Sequence, residues 1–293
     1  MSQPLRSFLF VPATDQRKVD KALTLKADAI ILDLEDAVAI SEKIRARSRV
    51  AEILHQVPTD RIFVRVNGVS TPWVVGDLSA IVGRCPRGVI LPKAESPEEV
   101  RRIDWLIGQL ENEHGLPAAG IELVPLVETA RGITGACGIA ESCSRVKRLA
   151  FGAVDYTLDM GISLTGKGTE IAYARAHLAV ASRAAGIEGP IDTVYVNIKD
   201  EDGLRNDSRS GRELGFSGKL VIHPSQIEPV NEIFTPTASE IQYAAKVVKA
   251  FSEAESEGIA AVQVDGKFID YPVAAWARRT LDIARSVGIA EEI

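Results

Sequence analysis

Leu123-Val124-Pro125-Leu126-Val127-Glu128-Thr129-Ala130-Arg131-Gly132 is the stretch on which the fold turns. A short apolar run rich in Val and Leu reads as a strand buried on both faces, the kind found in parallel sheets. It stops at a carboxylate, Glu128, and a turn of small residues follows. A second stretch, Leu149-Ala150-Phe151-Gly152-Ala153-Val154-Asp155, repeats the plan and ends on Asp155. At the C-terminal ends of consecutive parallel strands, two such acids stand side by side at one rim. Neighbouring anions repel unless a cation or a proton lies between them. A carboxylate pair that offers only oxygen suits Mg2+ better than a soft metal. Either acid alone is also explained as a cap of the helix that follows it.

Similar apolar runs lie on both sides of this pair. They occur at residues 7–11, 29–34, 62–66 and 88–92 before it, and at 192–196 and 219–224 after it. Amphipathic stretches long enough for a helix separate them. About eight strands alternating with helices imply right-handed βαβ units, and at this length a (β/α)8 TIM barrel. An open doubly wound sheet is the alternative, but the glycine-rich loop it needs after its first strand is absent. Residues 41–54 read as a helix. Ser96-Pro97-Glu98-Glu99 reads as a helix start, with Ile103, Leu106, Ile107 and Leu110 as its buried stripe. Residues 170–185 form a third helix, stopped by Gly186. The polar stretch 200–210 reads as a loop at the active rim.

The barrel core is expected over residues 1–235 and a C-terminal extension over 236–293. The extension reads as a long helix from Pro236 to Glu255, a hairpin at 260–272 turning at Asp265-Gly266, and a helix from Val273 to about Val287. A barrel does not need the hairpin. It is either an edge decoration, a lid, or an arm that reaches a neighbouring subunit.

Composition narrows the function classes. The 293 residues are 46% hydrophobic and 25% charged, ordinary for a soluble globular protein, and the net charge of -6 argues against a nucleic-acid surface. Cys85, Cys137 and Cys143 have no paired spacing, so a reducing cytoplasmic setting and small buried thiols are expected. No signal peptide and no bilayer-length apolar segment is read.

Further charged residues stand at the strand ends. Asp33-Leu34-Glu35-Asp36 places three acids at the second. Capping explains one; the others want a cation, the waters of a metal shell or a basic partner. Arg65 ends the third strand. An Arg in an apolar run is costly unless it faces an anion, either a substrate carboxylate or Asp33 or Glu35. Lys93 at the fourth is either a Schiff-base nucleophile or a salt-bridged lysine. His223 at the eighth reads as structural. With no Ser-His-Asp or Cys-His set, several acids, one Arg, one Lys and a metal suit C–C bond cleavage or formation beside a carbonyl.

The chain resembles the citrate lyase beta-subunit-like family. The resemblance lies in Leu9-Phe10-Val11-Pro12, Leu32-Asp33-Leu34-Glu35-Asp36-Ala37-Val38, Val64-Arg65-Val66-Asn67, Leu91-Pro92-Lys93, Val127-Glu128-Thr129 and Phe151-Gly152-Ala153-Val154-Asp155-Tyr156. It continues in Gly215-Phe216-Ser217-Gly218-Lys219, Ile222-His223-Pro224 and Asp265-Gly266-Lys267-Phe268-Ile269-Asp270, and so covers nearly the whole chain. The resemblance implies a Mg2+-dependent TIM barrel, a homotrimer, acting on acyl-CoA or acyl-carrier thioesters. It implies that Glu128 and Asp155 ligate Mg2+, that Arg65 and Glu128 contact substrate, and that Asp33 with Glu35 or Asp36 orients metal-bound waters. It implies that Asp270 from an adjacent subunit is the catalytic acid/base, with Arg65 at the same centre. Arg17, Lys18 and Lys21 match the region near the CoA phosphates. Two positions depart from the family pattern: Ala13 stands where Gly is frequent, and Val154 where a Glu is frequent. The expected reaction is cleavage of citramalyl-CoA to pyruvate and acetyl-CoA. Cleavage of malyl-CoA to glyoxylate comes next, and malyl-CoA hydrolysis or a citrate lyase complex subunit are alternatives.

Overall fold

The apolar runs are continuous because each barrel strand is covered on both sides. In the computed structural model, which describes residues 4–289, β1 (Ser7–Pro12), β2 (Ala29–Asp33), β3 (Ile62–Arg65), β4 (Gly88–Leu91), β5 (Glu122–Val127), β6 (Ala150–Phe151), β7 (Ile191–Asp192) and β8 (Gly218–Val221) form a closed parallel barrel in sequence order. β8 pairs back onto β1. Between the strands run α1 (Gln16–Thr24), α2 (Lys43–Gln56), α3 (Val74–Ile81), α4 (Pro97–Glu113), α5 (Ala130–Ala140), α6 (Ala153–Asp159), α7 (Ala172–Ala184) and α8 (Glu201–Leu214), and α9 (Ile227–Ile233) follows β8. This is the (β/α)8 TIM barrel. No helix among the described residues is long and apolar enough to cross a membrane.

Strand periodicity sorts the side chains. Phe8, Ala29, Ile31, Phe63, Ile90, Val124, Leu126, Ala150, Ile191 and Leu220 fill the barrel interior. Their neighbours, among them Ile30, Leu32, Val64, Val89 and Phe151, are equally buried on the other face, beneath the helices. Two residues beyond Ile31, Phe63, Leu126, Ala150 and Ile191, the same inward face is continued by Asp33, Arg65, Glu128, Gly152 and Thr193. A layer that includes three charged side chains therefore lies over an apolar plug. That is why the chemistry gathers at the C-terminal rim.

The helices start where local chemistry says they should. Ser96 accepts from the backbone N–H of Glu99 and Pro97 opens α4. Gly186, at φ +69°, ends the segment after α7. Residues 200–210 are a correction to the expectation. They are not a loop but most of α8, with Asp200 as its cap, accepting from Gly203 N at 2.9 Å. The helix escapes an apolar-stripe reading because it buries Leu204, Ser208 and Gly211 and sends Asp207 inward. Asp207 joins a buried ionic quartet. Lys219 donates to Asp192 at 2.8 Å and to Asp207 at 2.6 Å. Arg175 forks onto Asp192 at 2.9 and 2.8 Å and reaches Asp207 at 2.7 Å. The thiols are a second correction. All three are free, but Cys137 is exposed and Cys85 and Cys143 are only half-buried, because they sit on a helix surface and in turns.

A second compact unit begins at Glu232. It contains α10 (Ala238–Ser256), the antiparallel hairpin β9 (Val262–Val264) and β10 (Lys267–Ile269), and α11 (Tyr271–Ser286). Asp265 and Gly266, at φ 48° and 79°, make the tight turn that the Asp-Gly pair requires. Ala244, Val247, Phe251, Val264, Ile269, Ala274, Ala277 and Leu281 form this unit's own core.

Candidate active site

Asp33 and Arg65 are register partners on β2 and β3. Their side chains meet as a fork, Nε to Oδ1 at 2.7 Å and Nη2 to Oδ2 at 2.6 Å. Asp33 also accepts from the backbone N–H groups of Glu35 at 2.9 Å and Ala37 at 3.1 Å, so it pins the turn after β2; contrary to expectation, none of the three acids caps the next helix. Lys43 donates to the carbonyls of Leu34 and Glu35 at 2.8 and 2.6 Å, which fixes the acidic loop from below. Arg65 lies 4.8 Å over the Phe10 ring. Its Nη1 edge faces Glu35 Oε2 at 3.0 Å and Asp36 at 3.5 Å. Burial alone would lower the Arg65 pKa. The hydrogen bonds and charge of Asp33, then the charges of Glu35 and Asp36, outweigh it, and the guanidinium stays charged.

Lys93 ties the other half together. Its backbone is left-handed, φ 50°, a conformation disfavoured for a residue with a Cβ. In that pose its N–H donates to Glu128 Oε1 at 2.9 Å. Its Nζ donates to Glu35 Oε1 at 2.8 Å and stands 3.5 Å from Asp155 Oδ1. Burial opposes the ammonium, but the hydrogen bond and charge of Glu35 and the charge of Glu128 raise its pKa. A lysine so held is a salt-bridged cation rather than a free amine nucleophile.

Glu128 is 2% exposed. It does not cap α5, because Thr129 does so by accepting from Gly132 N. Glycine at 152 makes room for it. A Cβ there would lie 2.3 Å from Glu128 Oε2. Burial, then the charges of Asp155 and Glu35, push the Glu128 pKa up to about 8, and Lys93 offsets this only in part. Asp155 is not at a strand end as expected. β6 stops at Phe151, and Asp155 occupies the first turn of α6, half-buried. Glu35, its pKa raised chiefly by burial, keeps Oε2 buried without an aligned hydrogen bond.

The donor set fits a hard divalent cation. It consists of oxygen only, and it holds a carboxylate, Glu128, that burial and like charge push toward the protonated form. Among the described residues no group of three His, Cys, Asp or Glu side chains gathers as a metal cluster. Two carboxylates leave most of an octahedral shell to water and substrate oxygens, the habit of Mg2+.

Asp33, Glu35, Asp36, Arg65, Lys93, Glu128 and Asp155 thus form one cluster. Arg17 and Lys18 lie exposed on the first turn of α1, where Asp15 caps. His223 is exposed and caps the short turn after β8, its Nδ1 paired with Ser225 at 2.8 Å. Asp270 belongs to the second unit and caps α11, accepting from Val273 N at 3.3 Å. Sequence reasoning missed Lys43, Gly152 and Thr193. Only the two-residue step from Ala150 and Ile191 marked the latter two as inward-facing.

Comparison with known proteins agrees with this geometry. The chain matches the HpcH/HpaI aldolase/citrate lyase family over residues 6–224 and the C–C bond lyases of the TIM-barrel fold over residues 160–289. It is 36% identical to the citrate lyase subunit beta of Leuconostoc mesenteroides subsp. cremoris, over 96% of this chain and 93% of that one. It is 34% identical to the mitochondrial citramalyl-CoA lyase of Rattus norvegicus, over 97% and 87%. The crystal structure of CitE from Mycobacterium tuberculosis, in complex with magnesium, acetoacetate and coenzyme A, superposes with a TM-score of 0.79 at 30% identity, covering 96% of this chain and 98% of that one. The chain belongs to the HpcH/HpaI aldolase/citrate lyase family and, within it, to the carbon–carbon lyases.

Proposed function

We propose that this member of the family is a Mg2+-dependent oxo-acid lyase that cleaves a carboxylated 3-hydroxyacyl-CoA thioester. Citramalyl-CoA, giving pyruvate and acetyl-CoA, is the favoured substrate, and malyl-CoA, giving glyoxylate, is next. The observation that carries this reading is the inward layer of Asp33, Arg65 and Glu128 over the apolar plug, with Asp155 and Lys93 beside it. The two relatives and the CitE complex support the reaction class, the ion and the thioester.

Glu128 and Asp155 would hold Mg2+, and Asp33, Glu35 and Asp36 would orient the waters of its shell. When bound, the ion supplies electrophilic stabilisation of negative charge on the substrate's oxygens. Arg65 holds the substrate's carboxylate. Asp33 locks its Nε and Nη2, so the guanidinium is fixed in orientation, and a substrate carboxylate would take over the Nη1 edge that Glu35 and Asp36 now face. Arg17 and Lys18, with Lys21, meet the CoA phosphates from the exposed start of α1.

The bond change is a retro-Claisen cleavage. A base takes the 3-hydroxyl proton, the C2–C3 pair moves onto the thioester as an enolate, and the new carbonyl leaves as a 2-oxo acid. Asp270, delivered by a neighbouring copy in a homotrimer, is the acid/base. It returns a proton to the enolate carbon to give acetyl-CoA.

The test is a panel of citramalyl-CoA, malyl-CoA and citryl-CoA incubated with the purified chain, with and without Mg2+. Mg2+-dependent release of a 2-oxo acid supports the reading, and none from any thioester overturns it. Free CoA and malate appearing together would mark a thioesterase. Inactivity on free CoA esters, with co-purification of carrier subunits, would mark a subunit of a citrate lyase complex.

A further inference from the structure

The helix that carries Asp155 has no cap of its own. Gly152 precedes α6 and offers no side chain to its first free N–H groups. The acceptor comes from another strand. Thr193, just past β7 and buried, takes the hydrogen of Ala153 N on its Oγ1 at 2.9 Å. The far end of α6 is held as well. Asp159 accepts from Ala130 N at 2.7 Å, and Ala130 stands two residues beyond Glu128. Thr157, in between, turns its hydroxyl back onto Ala153 O and ties the helix to nothing else. A helix of 7 residues makes few internal hydrogen bonds and depends on outside ties for its place.

We propose that Thr193, with Asp159 at the opposite end, is a positioning residue that sets Asp155 against Glu128 for a shared divalent ion. The proposal rests on the reading of Glu128 and Asp155 as the metal pair. Both ties join α6 to neighbours of that pair, one to the inward layer at β7 and one to the turn leaving β5. Loosening either lets Asp155 drift without touching a ligand atom.

The experiment is Mn2+ titration of the intact chain by electron paramagnetic resonance, with thermal unfolding of the metal-free protein alongside. Thr193→Val keeps the shape and removes the acceptor, whereas Thr193→Ser keeps the hydroxyl. Thr193→Val should bind Mn2+ about tenfold more weakly, and Thr193→Ser should stay within about twofold of the parent. Asp159→Ala, on the exposed side, should lose about threefold, and Asp159→Asn, which keeps an acceptor oxygen, should lose nothing measurable. A merely structural role would lower the melting temperature of Thr193→Val and leave its Mn2+ affinity alone, which overturns the proposal. If Thr193→Val does not fold, the Asp159 variants decide it, and parental affinity in Asp159→Ala overturns it. Mn2+ affinity unchanged even in Glu128→Gln would overturn the metal-pair reading, and the proposal with it. Loss in Glu128→Gln without loss in Thr193→Val or Asp159→Ala would overturn the proposal alone.

Discussion

Divalent-ion binding to this chain will weaken steeply as pH falls from 8 to 6. If Glu128 is a ligand, as proposed, ligation needs it ionised, and its carboxyl is pushed up to about 8 by burial and by the charges of Asp155 and Glu35. Roughly half is ionised at pH 8, about a tenth at pH 7 and about a hundredth at pH 6, so the apparent Kd for Mg2+ rises about 50-fold across that range. An ordinary exposed glutamate would change it by less than about 10%. The sign for stability follows from the same shift. The folded state holds the proton more tightly than the unfolded one, so this stability is complete below about pH 4.5. It is lost as pH rises through about 8, with a ceiling of roughly 5 kcal/mol. The metal-free chain should therefore melt lower at pH 8.5 than at pH 6.5, and Mg2+ should remove most of that difference. Isothermal titration calorimetry at three pH values, in buffers of different ionisation enthalpy, reads both the Kd and the proton released, close to one per ion at pH 7. A Kd that does not move between pH 6 and 8, with no proton released, refutes the reasoning.

Three other perturbations test separate parts of the structure. Gly152→Ala puts a methyl 2.3 Å from Glu128 Oε2 and should cost 10- to 100-fold in Mg2+ affinity, with circular dichroism unchanged. Lys219→Met removes one of the two cations shared by Asp192 and Asp207, leaves Arg175 alone against both acids, and should destabilise the fold by about 3–5 kcal/mol in urea unfolding. Asp270→Asn and Glu128→Gln, each inactive alone, should regain activity when unfolded together and refolded as a mixture, because mixed oligomers would contain sites with both native residues. No recovery on mixing would refute the assignment of Asp270 to a neighbour's site.

Much of the barrel was legible because a strand buried on both faces writes an unbroken apolar run. The runs at 7–11, 29–34, 62–66 and 88–92 all became strands. Asp33, Glu128 and Arg65 were legible as charged endings to such runs, whereas Asp155, read the same way, lies in the first turn of α6. The run at 192–196 reads as a strand, but β7 is only Ile191–Asp192, and Thr193 just beyond it uses its side chain on α6. α8 was invisible to hydrophobic periodicity because its inner face carries Ser208, Gly211 and an ion-paired Asp207. The alternatives for Arg65 could not be separated beforehand. Its pairing with Asp33 is set by β2–β3 register, a property of two strands that lie 32 residues apart.

Lys93 has one more consequence. Glycine would adopt its left-handed pose without strain, and a side chain there costs about 1 kcal/mol. In return its ammonium sits between Glu35 and Asp155 as a built-in substitute for part of an ion's charge. The newly made polypeptide can thus draw these mutually repelling acids together before any mineral arrives. Loading then becomes an exchange of one positive partner for another inside a finished vessel, rather than a condition for making the vessel.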